Sequence, residues 1–173
     1  MIIAISGLTG SGKSTVGEQV ATELNIKHIS TTHKKYAQPG EELLKFTKNA
    51  TPEFERKFDK QIIKEANEKD CVVTTWLSPW LIKNATARVW LHASPEIRAK
   101  RKRHELRKPL KYIHGYVKNK DSTNTNRFKK IYGIDINDHS IFDIIINTDR
   151  LNISQVSQLI IALSAVKEKK NFR

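Results

Sequence analysis

Apolar and polar positions along the chain alternate between two periods. Ile2, Ile3, Ala4 and Ile5 form a near-continuous apolar run, as a strand buried on both faces requires. After a glycine-rich stretch, Val16, Val20 and Leu24 fall four apart on one helical face. Ile26 to Ser30 predicts a short second strand. Residues 31 to 40 are polar and end in the turn signal Pro39-Gly40, and Leu43, Leu44 and Phe46 predict a short helix. Thr51-Pro52-Glu53 reads as an N-cap, a proline at the first helical position and an acid in the first turn. Phe54, Phe58 and Ile62 continue that helix. Cys71 to Thr74, Arg88 to His92 and Phe142 to Ile146 predict three further strands. Ser94-Pro95-Glu96 repeats the cap signal, and Ile153, Val156, Ile160 and Leu163 mark a final helix. Strands alternating with helices predict the α/β class: a five-stranded parallel sheet with helices on both faces. There are no internal repeats, and 173 residues fit a single domain spanning 1–173.

Charge changes the picture. The chain carries 31 Lys and Arg against 18 Asp and Glu, a net +13. Residues 98–130 hold thirteen of those cations and two acids, Glu105 and Asp121, so +11 of the +13 sits in one fifth of the sequence. A like-charged segment repels itself unless it is solvated or faces an anion. A solvated helical face, a nucleic-acid surface and a clamp over a polyphosphate all satisfy that condition. The single cysteine, Cys71, excludes an internal disulfide framework or a Cys-based zinc site, and its apolar strand makes it an inert core residue. No apolar run approaches the roughly 18–20 residues of a membrane span. Met1 to Ser6 does not read as a signal peptide, so a cytoplasmic protein with no membrane partner is expected. The six histidines are scattered without metal-ligand spacing. Asp135 and Asp138, after Gly133 and around Asn137, predict a turn. Nothing indicates an obligate interface, and a monomer is expected.

The candidate chemistry lies near the start. Gly7-Leu8-Thr9-Gly10-Ser11-Gly12-Lys13-Ser14 fits G-x-x-x-x-G-K-[ST] without a mismatch, after a buried strand and at the opening of a helix. Glycines let successive N–H groups point inward at an anion, and the helix adds its positive end. Lys13 can reach the terminal phosphates, Ser14 can ligate Mg²⁺ and Thr15 can touch a phosphate. This predicts binding of a nucleoside triphosphate such as ATP. The short chain leaves little room for a motor, so a small phosphotransferase is the economical reading. Phosphoryl transfer needs cations around the migrating group and water kept out. The 98–130 segment, between the fourth and fifth strands, could fold over the loop as a basic lid.

Ile2 to Gly7 with the loop behind it resembles the nucleoside monophosphate kinases. Three further segments resemble the archaeal type of cytidylate kinase. They are Val89-Trp90-Leu91, Ser94 to Arg101, and Ile131 to Asp138 with Ser140 to Thr148. The resemblance implies an adenylate-kinase-like P-loop core, an acceptor-binding region within 31–66, a lid within 98–130, and transfer of the γ-phosphate of ATP to CMP or dCMP with Mg²⁺. It implies that Lys13 contacts the β- and γ-phosphates and that Arg101 lies near the ATP base or phosphates. It also implies that Arg127 holds the migrating group and that Asn147-Thr148 borders the adenine. Lys120 stands where the family has a second lid arginine, keeping the charge and losing the planar fork.

The acceptor half departs from the family. A Glu-Gly-Arg-Leu pattern after the third strand is replaced by Thr74-Thr75-Trp76-Leu77, without the acid and the arginine. After the second strand an arginine for the acceptor phosphate is missing, and Lys34 or Lys35 could substitute as point charges. Asp59 matches a family aspartate, but Lys60 follows it where the family has arginine. Trp76 and Trp80 flank Leu77-Ser78-Pro79 and either stack on an acceptor base or pack in the core. Three functions therefore stand: a CMP/dCMP kinase acting on small nucleotides, a P-loop kinase for AMP, another nucleotide or a polynucleotide end, and a less favoured nucleic-acid-binding NTPase.

Overall fold

The computed structural model describes residues 1–30 and 51–170. The short helix expected around Leu43–Phe46, and Lys34 and Lys35, lie outside the described residues. In chain order the elements are β1 (Ile2–Gly7), α1 (Lys13–Leu24), β2 (Lys27–Ile29), α2 (Pro52–Ala66), β3 (Cys71–Val73), α3 (Ser78–Leu81), β4 (Ala87–His92), α4 (Pro95–Leu106), α5 (Leu110–Tyr132), β5 (Ile144–Asn147) and α6 (Ile153–Lys170). All strand pairings are parallel, in the order β2-β3-β1-β4-β5.

Period-two alternation sorts the strand side chains onto two faces. Ile3, Ile5, Val72, Val89 and Leu91 pack against Val16 and Val20 of α1 and Val156 and Ile160 of α6. Ile2, Cys71 and Val73 face the other way, onto Phe58 and Ile62 of α2 and onto Ile82. Both predicted caps form. Thr51 Oγ1 accepts from Phe54 N at 3.2 Å, and Ser94 Oγ accepts from Ile97 N at 3.4 Å.

One expectation needs adjusting. The fifth strand starts at Ile144, not Phe142. Phe142 sits in the preceding turn, its amide bonded to His139 O, and its ring packs edge-on against Trp80 and Trp90. The basic segment is an ordered hairpin of two helices. Arg107 ends α4 in the left-handed region at φ 52°, and Pro109 opens α5. Ala99, Ile113 and Val117 form its own small core. A second small core, Leu77, Phe128 and Ile136, ties the far end of α5 to the segment that follows β3.

This topology fixes where a ligand can enter. The connection from β1 runs toward β2 on one side, whereas that from β4 runs toward β5 on the other. The crevice at their carboxyl ends is a topological switch point. Among the described residues, no helix is long and apolar enough to cross a membrane.

Candidate functional site

The glycine loop leaves β1 at that crevice. Gly7 pairs with Leu91, and a Cβ on Gly7 would lie 2.4 Å from the Leu91 carbonyl oxygen. Gly10, at φ 82°, is equally confined: a Cβ there would lie 2.7 Å from Arg98 O. The loop is tied by Ser11 N to Leu8 O at 3.1 Å, and α1 starts with Val16 N on Gly12 O at 2.9 Å. Lys13 Nζ donates to Gly7 O at 2.6 Å and Leu8 O at 3.1 Å, and stands 5.0 Å from the centre of the Trp76 ring. Burial pushes the Lys13 ammonium down to about 7, with the Asp121 carboxylate opposing that shift.

The loop opens onto a cleft of about 1260 Å³. Residues Thr9 to Val16 form its floor. Asp59 and Glu55 of α2 and the Thr74–Leu77 segment form one wall. Arg101 of α4 and the Tyr112, Tyr116, Lys120 and Arg127 face of α5 form another, and Thr148 with residues 151–153 closes the end. The site residues expected from the sequence thus meet in one place, apart from three sets. Gly7 serves the turn, Leu8 packs beside the Leu77–Phe128 core, and Lys34 and Lys35 are outside the described residues.

Each wall is held by specific contacts. Arg101 Nη1 donates to Ser11 O at 3.2 Å and Thr148 Oγ1 at 2.9 Å, and Nη2 donates to Thr148 O at 2.8 Å. The guanidinium therefore joins the loop to the end of β5. Arg127 pairs with Glu55 Oε1 at 3.0 Å, and burial raises the Glu55 carboxyl above its usual range. Tyr132 donates its phenol to Asp59, whose carboxyl is likewise raised by burial. Lys120 lies 5.7 Å from the Tyr116 ring centre.

The segment that departs from the family has its own logic. Thr74 Oγ1 pairs with His28 Nε2 at 2.9 Å, and its methyl lies against Gly17, where a Cβ would come within 2.2 Å. Thr75 Oγ1 accepts from the amide of Ser78, the first residue of α3, at 2.9 Å. Ser6 Oγ donates to Trp76 O at 2.7 Å, and the Trp76 ring tilts onto Phe128. The two tryptophans divide the readings. Trp76 lines the cleft, whereas Trp80 packs edge-on against Trp90 and Phe142. Asp135 and Asp138 hold the predicted turn by accepting from Asn137 N and Ser140 N.

Sequence reasoning missed the link between the loop tip and α5. Asp121 accepts from Thr9 N at 3.0 Å and pairs with Arg98 Nη1 at 2.5 Å, and the same Nη1 donates to Thr9 O at 3.0 Å. One signal was available: Asp121 is one of two acids in the cationic window. Glu55 gave none, since an acid in a first helical turn already has a dipole to satisfy.

Residues 30–150 match the cytidylate kinase-like family. The cytidylate kinase of Sulfurisphaera tokodaii is 38% identical over 167 residues, covering 92% of this chain and 93% of its own length. Among solved structures, an uncharacterised protein from Eubacterium ventriosum superposes with a TM-score of 0.77 at 18% identity, over 96% of this chain and 98% of that one. A shikimate kinase from Bacteroides thetaiotaomicron does so with a TM-score of 0.59 at 18% identity, over 94% and 97%. Both structures share the fold.

Proposed function

The chain belongs to the cytidylate kinase-like family, and on that footing we propose that it transfers the γ-phosphate of ATP to CMP or dCMP. One observation carries this reading. The glycine loop and the α2–β3 wall face each other across a single cleft, with Lys120 and Arg127 along the side between them. A donor triphosphate on the loop and an acceptor monophosphate at the wall would then meet in line, beneath cations suited to the migrating group.

Lys13 and the amides of residues 10–15 bind the triphosphate. The phosphates compete with the Gly7 and Leu8 carbonyls for the Lys13 ammonium. Arg101 orients the nucleotide, since it already bridges the loop and Thr148, beside which the adenine sits. A phosphate oxygen of the acceptor attacks the γ-phosphorus, the bond to the β–γ bridging oxygen breaks, and ADP leaves. Arg127 and Lys120 stabilise the transferring charge. The α4–α5 hairpin, as the lid, excludes water, the competing acceptor. Asp59 and Trp76 border the acceptor, with Lys34 and Lys35 as candidates for its phosphate.

Mg²⁺ fits this donor set. The Ser14 hydroxyl lines the cleft at the start of α1, and Asp59 brings a carboxyl group to the same cleft. A hard cation that keeps several waters and shares substrate phosphates needs no denser protein cage. When bound, it neutralises charge on the triphosphate.

The Thr74–Trp76 wall favours a second reading, a different acceptor, because the family's acid and arginine are replaced there. A coupled ADP-release assay across CMP, dCMP, UMP, AMP, GMP and dTMP separates the two. Turnover highest with CMP or dCMP is expected. Stimulation by another nucleotide alone would move the assignment to that acceptor.

A further inference from the structure

We propose that Asp121 is a positioning residue that fastens the α4–α5 hairpin to the tip of the phosphate-binding loop and so sets the distance between that loop and the cations of α5. The proposal rests on the kinase reading above for its role and on geometry for its existence. Asp121 uses both oxygens: Oδ1 accepts from the Thr9 amide at 3.0 Å, and Oδ2 meets Arg98 Nη1 at 2.5 Å. The side chains of Arg98 and Asp121 are only 9% and 13% exposed. Arg98 closes the ring by donating to Thr9 O at 3.0 Å, so one loop residue is gripped at its amide and its carbonyl from two different helices. The Arg98 backbone also walls the loop, since there is no room for a Cβ on Gly10 beside it.

The consequence lies along α5. Lys120 is the adjacent residue, and Arg127 is six residues further on, about 9 Å of helix. A fixed point at Asp121 therefore sets the height of Lys120 above the loop and, together with the Leu77–Phe128 core at the far end of α5, that of Arg127. Phosphoryl transfer tolerates such errors poorly: a displacement of about 1 Å can cost roughly a hundredfold. An exposed ion pair would carry no such claim, because it is weak and easily rearranged. This pair is buried, and removing one partner alone would strand a charge.

The test uses the double variant Arg98→Met/Asp121→Leu, which removes both charges together and leaves the Thr9 amide without its carboxylate. A cooperative melt lowered by several degrees is expected, because replacing the buried ion pair by an apolar pair costs little by itself while the Thr9 amide and carbonyl lose their partners. Turnover with ATP and CMP should nevertheless fall by roughly tenfold or more, with KM for CMP within about twofold of the parent. ATP–Mg²⁺ affinity by calorimetry should weaken by about tenfold. A pair with only a structural role would leave kcat and affinity unchanged in a folded double variant, and that result overturns the proposal. If the parent fails to phosphorylate CMP, the acceptor reading falls, and the calorimetry, which involves no acceptor, still decides this one. Should the double variant not fold, hydrogen exchange at the Thr9 amide of the parent decides. Protection with a non-hydrolysable ATP analogue bound supports the fastening, and exchange at the rate of an open loop overturns it.

Discussion

Lys13 and Cys71 show how burial turns one residue toward function and leaves another inert. The Lys13 ammonium lies among loop carbonyls and beside the Trp76 ring, where only another anionic partner improves its position. Lys13→Ala should lower phosphoryl transfer by at least about a hundredfold while leaving the melting temperature near that of the parent, as steady-state kinetics and a thermal melt would show. Cys71 is fully buried in β3, and burial pushes its thiol up to about 11. It should resist alkylation at neutral pH and react only in denaturant, which mass spectrometry after iodoacetamide treatment would read. His28 sets a pH limit. Burial lowers its pKa, with Glu18 opposing, so the unfolded chain takes up the proton first. Its contribution is complete above the free-imidazole value of about 6.5 and is lost as the pH falls below that value toward the folded one. Urea midpoints should drop on acidification, and drop less in His28→Gln. At this scale the loop was legible because its chemistry is contiguous. Asp121 and Glu55 were not, because their partners Thr9 and Arg127 lie far away in sequence.

Among the elements, caps and buried strands follow from local rules, and both predicted caps sit where threonine and serine precede proline. The hairpin of α4 and α5 was harder to see, because thirteen cations mask a thin apolar stripe. Only Ile113, Val117, Asn124 and Phe128 of the 23 residues in α5 are buried, so the helix rests on a narrow seam. Ile113 is fully buried in the core it shares with Ala99. Ile113→Ala should cost about 2–5 kcal/mol, measured by urea denaturation, and loosen the α4–α5 hairpin before the sheet. The fifth strand was misplaced by two residues for a different reason. Phe142 is apolar because it completes an aromatic cluster with Trp80 and Trp90, and apolarity alone does not distinguish that from strand pairing.

For the molecule as a whole, charge is distributed by task. The cations that line the cleft, Lys13, Arg101, Lys102, Lys111, Lys120 and Arg127, come from the loop and the hairpin, whereas Arg98 is buried in its pair with Asp121. Long-range attraction should therefore assist nucleotide capture and fade as the Debye length shortens. KM for ATP should rise several-fold between about 0.05 and about 0.5 M salt, with a smaller change in kcat, as initial-rate kinetics at fixed Mg²⁺ would show. The three tryptophans are divided in the same way. Trp80 and Trp90 are locked edge-on in one aromatic cluster, while Trp76 alone has the Lys13 ammonium beside its ring. The protein thus carries an unlabelled optical gauge. Drawing that ammonium onto a triphosphate should alter the indole emission of one fluorophore against a constant background, and a titration followed at the emission maximum should lose its signal in Trp76→Phe.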